Sequence, residues 1–350
     1  MATDTTQPQD SEGNSPGTPQ QGVDRRALLV GGSLIAAGLF GSSLVRDLWR
    51  TRSSVFIARG QRYDGSLVRT IRDGLIATGL DAASLSRKSV LLKPNLVEPT
   101  REAPHMTTHP AIVLATAAVF RGWGARVVIG EAPGHMRDTG WALVESGLQD
   151  AIDSEQLEFA DLNYEAVQWA KNLGRRSPLP GFFFPRAVAS ADLVVSLPKL
   201  KTHHWVGATV SLKNMYGTLP GVEYGWPKNV LHHAGIPETV YDINASLPKT
   251  VAVVDAIDCM EGDGPIMGTR KHMGLVLVGT NPTAVDATAC RLMQLDPSRI
   301  SYLQLAAGSL GPIDERLIDQ RGEDWQSLAS PFEILNEPHL RRLRLKKGTC

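Results

Sequence analysis

From Ser53 onward the chain alternates short apolar runs with longer amphipathic stretches. Six runs, "SVFIAR", "SVLLKPNLV", "ARVVIGEAP", "DLVVSLPK", "TVAVVDAID" and "GLVLVGTN", are rich in Val, Leu and Ile and do not alternate with polar residues. That pattern suits strands covered on both faces. Between them, spans 65–78, 110–123, 139–146, 237–246 and 282–293 read as helices, with Pro110, Pro237 and Pro282 placed where a first turn tolerates a missing N–H. Strands that alternate with helices predict an α/β fold, a mostly parallel sheet flanked by helices. One such domain is expected over residues 53–330, and no internal repeat stands out.

Polar residues collect where these strands stop. "KPN" at 93–95, "GEAPGH" at 130–135 and "PKLKTHH" at 198–204 follow three of them, and Asp255 with "CMEGDGP" and then "GTNP" follow two more. Ligands of open α/β sheets sit beyond the carboxyl ends of the strands, so one composite cleft is expected there.

The first 50 residues read differently. Residues 1–22 are rich in Pro, Gly, Gln, Ser and Thr and lack a packable apolar pattern, which predicts a disordered tail. Residues 23–50 place Arg25 and Arg26 before an uncharged run, 27–45, diluted by glycines. This resembles a twin-arginine export signal, with the export machinery as an implied partner; a plain membrane helix after two arginines is the alternative. The run approaches the roughly 20 residues that span a bilayer and no small-x-small cleavage site follows, so it is also a candidate anchor. In either case the folded part is expected across the cytoplasmic membrane, on the periplasmic or extracytoplasmic side.

Composition narrows the partners. Lys plus Arg equals Asp plus Glu, 36 of each, which argues against nucleic acid. The basic stretch within 331–350, "HLRRLRLKKG", reads as a solvated or membrane-surface tail. Cys259, Cys290 and Cys350 form no C-x-x-C, so no iron–sulfur cluster is expected within the chain.

The densest chemistry is "SLPKLKTHHWVGATVSLKNMYG", 196–217. If the strand continues, Lys199, Lys201 and His203 project to one side of it and form, with Lys93 and Lys213, a site for a carboxylate or phosphate. Lysines crowded by like charge also become bases or Schiff-base nucleophiles. Asn95 and Asn214 are candidate ligand-orienting amides, and Gly217 permits close backbone approach. His203 and His233, with Glu131, are candidate ligands for a divalent metal, although no H-E-x-x-H spacing is present. Asp255 and Glu261 are candidate carboxylates facing the lysines across the cleft. The loop "GVEYGWPKNVLHHAGIPE" is long enough to be a lid through Tyr224 and Trp226, or to pack onto its own domain.

Taken in order, "LLKPNLV", "TTHP", "GEAPG", "SLPKLKTH", "SLKNMYG" and "GTNPTAVDATACRLM" resemble the domain of unknown function 362 family, over about residues 90–297. The resemblance implies an α/β protein, often met beside a ferredoxin-like iron–sulfur domain. This chain lacks the cysteine run such a domain requires. Three functions follow as expectations: an enzyme acting on a small anionic substrate, with Lys201, His203, Asp255 and Glu261 as catalytic groups; a non-catalytic metal- or cofactor-binding accessory protein for a redox or membrane complex; or a scaffold.

Overall fold

The structure, a computed structural model, describes residues 52–345. Twelve strands form within this span: β1 (Ser53–Ala58), β2 (Ser89–Pro94), β3 (Arg126–Glu131), β4 (Glu158–Asp161), β5 (Val167–Lys171), β6 (Gly181–Pro185), β7 (Leu193–Leu197), β8 (Lys199–His203), β9 (Gly207–Thr209), β10 (Thr250–Glu261), β11 (Thr269–Gly279) and β12 (Ile318–Gly322). Ten of them make one sheet with the main order β12-β1-β11-β10-β7-β2-β3-β4, while β5 and β6 form a separate hairpin. All neighbours along that order are parallel except those of β11, which is antiparallel to β1 and β10. The α/β expectation is met, with one antiparallel strand inside the sheet.

Side-chain alternation explains the unbroken apolar runs. Leu91, Val194, Ala252, Val254, Leu275 and Leu277 enter one core, whereas Val90, Leu92, Val195, Val251, Val253, Val276 and Val278 enter the other. Both faces of the sheet are therefore buried, and neither tolerates polar alternation. Helices Leu67–Ala77 and Pro110–Gly122 cover the second face, and helices Ile236–Ser246 and Pro282–Leu292 the first. Each lies within two residues of its predicted span.

Pro198 divides the strand read as "DLVVSLPK". Having no N–H, it interrupts the ladder, while its carbonyl accepts from Asp255 N–H at 2.9 Å. Before it β7 pairs with the start of β10 and with β2; after it β8 pairs with the far half of β10 and with β9.

Residues 331–345 pack with the body and are not a solvated tail. Phe332, Leu340 and Leu343 are buried in the first core, and Leu343 O accepts from Asp296 N–H at 2.7 Å. The arginines between the leucines masked an amphipathic turn. The tail 1–22, the signal or anchor 23–50 and the run 27–45 lie outside the described residues. Among the described residues no helix is long and apolar enough to cross a membrane. Cys259 and Cys290 are free thiols buried in the core.

Candidate functional site

A cavity of about 250 Å³ opens at the carboxyl ends of β2 and β3. Four lysines line it, Lys93, Lys201, Lys213 and Lys228, against one carboxylate, Glu131. They fall into two kinds.

Lys93 and Lys201 are structural posts. Lys93 is buried at the end of β2, and its ammonium donates to Glu131 at 2.7 Å, Pro94 O at 2.7 Å and Asn214 Oδ1 at 2.9 Å. Burial pushes Glu131 up and Lys93 down from their ordinary values, and each charge opposes the shift of the other. Lys201 donates to Asn95 Oδ1 at 2.7 Å, Met106 O at 2.9 Å and Pro265 O at 3.2 Å. Burial and the neighbouring lysines, Lys199 first, press its pKa well down. Three acceptors, which only an ammonium can use in full, work the other way.

Asn214 ties these posts together. Its Oδ1 accepts from Lys93 and Asn95, and its Nδ2 donates to Lys93 O at 3.0 Å and Ser196 Oγ at 3.1 Å. All its amide positions are occupied within the protein. Gly217 completes the wall: a Cβ there would overlap the Glu131 carboxylate and the Lys93 ammonium, so backbone closes where a side chain has no room.

Lys213 and Lys228 differ. Lys213 lies with its ammonium 3.7 Å from the Tyr216 ring centroid. It has no hydrogen-bond acceptor among the described residues, and burial followed by Lys93 lowers its pKa to about 7. Lys228, in the left-handed conformation at φ 65°, is buried and donates to Leu219 O. Burial lowers it to about 7 as well, with Glu131 opposing and Lys93 assisting. The turn carrying Lys213, Ser211–Asn214, is held by Asp286, whose carboxylate accepts from Ser211 N–H at 2.8 Å and Leu212 N–H at 3.0 Å. Burial raises Asp286 to about 7.

Four histidines also line the cavity, His135, His203, His204 and His232, and two of them, His203 and His232, have opposite polarity. His203 Nδ1 accepts from Trp205 N–H at 3.1 Å, which puts its proton on Nε2. His232 Nδ1 lies 3.0 Å from Lys228 O, and since a carbonyl only accepts, the proton sits on Nδ1 and Nε2 keeps a lone pair. Burial, then Lys213, keeps both neutral at pH 7, pushing His203 well down and His232 to about 4. Trp205, 57% exposed, lies at the mouth with its ring 5.6 Å from that of His232. Thr209 also lines the cavity, and its buried Oγ1 has no hydrogen-bond partner among the described residues.

Several predicted residues are placed elsewhere. Lys199 and Asp255 form an ion pair at 2.6 Å, both side chains 0% exposed, outside the cavity lining. Tyr63 Oη donates to Asp255 Oδ1 and accepts from Lys199, each at 3.0 Å, and His109 N–H donates to Asp255 Oδ2 at 3.0 Å. Asp255 thus faces one lysine inside the core and not a ligand. Glu261 accepts from Glu333 N–H at 2.9 Å and pairs with Lys271, away from the site. His233 is not part of the lining; its neighbour His232 is. The metal set His203, His233 and Glu131 does not converge, and among the described residues no three His, Cys, Asp or Glu side chains do. Tyr224 is buried and accepts from Phe183 N–H at 2.9 Å, so that part of the long loop packs onto the domain.

Lys228 and Asp286 are residues a sequence reading overlooks, and of the adjacent pair His232 and His233 it favours the one that does not line the cavity. Only the spacing of "PKNVLHH" after "LPGVEYG" hints at Lys228, and Asp286 is hidden within a helix whose other residues are mostly apolar or small.

A mixed sheet, mostly parallel and covered by helices, with a lysine-lined cavity at its strand ends, defines an α/β domain. The chain belongs to the family described as domain of unknown function (DUF362), whose model matches residues 90–291. It is 28% identical over 253 residues to the thylakoid-associated protein sll1697 of Synechocystis sp., covering 71% of this chain and 76% of that protein. Among solved structures it is similar to the lactate racemase apoprotein from Thermoanaerobacterium thermosaccharolyticum, with a TM-score of 0.44 and 14% identity, covering 70% of this chain. The match spans 58% of the racemase chain.

Proposed function

We propose that the cavity binds a small ligand bearing a carboxylate or phosphate and that the protein is an enzyme acting on it. The observation that carries this is the surplus of cationic groups: four lysines to one carboxylate, with Lys213 lacking any acceptor among the described residues. Burying unpaired charge is costly, and a bound anion offsets that cost. The volume lies below the roughly 300–1,000 Å³ typical of drug-sized sites, which favours a ligand of metabolite size. His203 as a donor and His232 as an acceptor supply a proton-transfer pair, which supports enzyme over passive carrier.

Proton linkage gives the test. An anion beside Lys213 and Lys228 favours their ammonium forms, so binding of glutarate or glycerol 3-phosphate near pH 7 takes up protons. Affinity is expected to be level below about pH 6 and to weaken above pH 7 by up to about tenfold per unit for each lysine. Titration calorimetry in two buffers of different ionisation enthalpy reads both effects. Proton release, or affinity that rises with pH, excludes these lysines as the anion site.

We further propose that residues 23–50 are a twin-arginine-type export signal that leaves the folded domain on the extracytoplasmic face, held by residues 27–45. The paired arginines support this, and the thylakoid association in the name of the cyanobacterial relative agrees with a membrane location. An Arg25→Lys, Arg26→Lys double variant should accumulate in the cytoplasm in cell fractionation. Unchanged export of that variant refutes the assignment.

A further inference from the structure

We infer that Lys213 is a carbonyl-trapping amine, and that the ligand is a small carboxylate or phosphate which also bears a ketone or aldehyde. This rests on the anion-binding reading above and deepens it. Of the lining lysines, Lys93 and Lys201 each give three hydrogen bonds and Lys228 gives one to Leu219 O. Lys213 gives none and lies against the Tyr216 ring, so its Nζ is the amine free to bond to something in the cavity. Its pKa of about 7 leaves a large neutral fraction at neutral pH, the form that attacks carbonyl carbon.

The surrounding groups match the proton movements of imine formation. The Nζ lone pair forms a bond to the carbonyl carbon as the C=O π pair moves to oxygen. The oxygen gains one proton and the nitrogen loses one, giving a carbinolamine. The nitrogen lone pair then expels the hydroxyl, which leaves as water on taking the proton that His232 accepted from nitrogen, while His203, having given the first proton, regains one from solvent. The product is a C=N bond, and no oxidant or reductant is consumed. His203, with its proton on Nε2, is polarised to give a proton to oxygen; His232, with a free Nε2 lone pair, is polarised to accept one from nitrogen. The His232 ring stands 5.6 Å from the Tyr216 ring on which Lys213 lies. The protonated imine keeps a positive charge at Nζ, so the anionic group retains its counter-charge after the bond forms.

The test is reductive trapping on the full chain. The protein is incubated with dihydroxyacetone phosphate or 2-oxoglutarate and reduced with sodium borohydride, and adducts are located by intact mass and peptide mapping. Glycerol 3-phosphate and glutarate serve as controls without a carbonyl group. The expected result is one adduct per chain on the Lys213 peptide from at least one carbonyl probe, none from the controls, and trapping that increases from pH 6 to pH 8. Lys213→Arg should lose trapping. Adducts scattered over exposed lysines, or none at Lys213, overturn the inference. Calorimetry with the two controls separates the failures: binding without trapping leaves the anion site standing, and neither removes both. If the arginine variant does not fold, the peptide map of the unaltered chain still decides.

Discussion

Asp255→Ala is expected to destabilise the fold by about 3–5 kcal/mol, because it leaves Lys199 buried without its counter-charge. The carboxylate also accepts from Tyr63 Oη, His109 N–H and, at 3.3 Å, Ile257 N–H, so alanine strands several donors at once. Against a typical total of about 5–15 kcal/mol, that loss brings the domain near unfolding. Urea denaturation should show a lower midpoint with an unchanged slope. Adding Lys199→Met should recover most of the loss, since an apolar pair of similar volume replaces a buried ion pair at little net cost. Additive effects, or a loss under about 1 kcal/mol, would contradict the structural role and return Asp255 to the list of functional groups.

Lys213→Met is expected to do the opposite. Without ligand the variant should be more stable by about 0.5–2 kcal/mol, because a buried cation with no acceptor is replaced by an apolar chain of similar length. Its affinity for glutarate or glycerol 3-phosphate should fall by about 2–4 kcal/mol, which is about 30- to 1,000-fold. Lys93→Met is the contrast, since it strands Glu131 and should lower stability. Thermal melts with and without ligand read both quantities. A Lys213→Met chain that melts earlier and binds normally would show that Lys213 is another post and that the ligand sits elsewhere.

The fold was legible in the sequence because the central strands β2, β3, β7, β10 and β11 are buried on both faces and so carry continuous apolar runs. What was missed lies at the edges. The sequence of β5 and β6, "VQWAK" and "GFFFP", exposes Trp169 and partly Phe183, so the pair lacks both the continuous run and clean alternation. Strand ends and the polar break after them drew attention to Lys93, Lys201, His203, Lys213 and Asn214, all of which line the cavity. It did not separate a lysine that meets ligand from one that meets protein. That distinction depends on acceptors distant in sequence: Glu131 for Lys93, Met106 O and Pro265 O for Lys201, Asp255 for Lys199. His232 and His233 are adjacent and chemically identical, and only the short helix Asn229–His233 decides which one turns inward.

The saturated amide of Asn214 bears on how the family as a whole is to be understood. Lys93, Asn95, Lys201 and Asn214 hold one another and leave little for a guest, so these positions of "KPN", "PKLK" and "LKN" describe the chassis and not the cargo, and within "LKN" only Lys213 is left to meet a guest. On the proposed ligand-binding reading, cargo is set by the less constrained lining positions, Lys213, Lys228, Thr209, Trp205 and His232. Two chains can therefore share the buried lysine and amide posts and still accept different molecules, and on that reading a function found for one passes to the other only when those five positions agree.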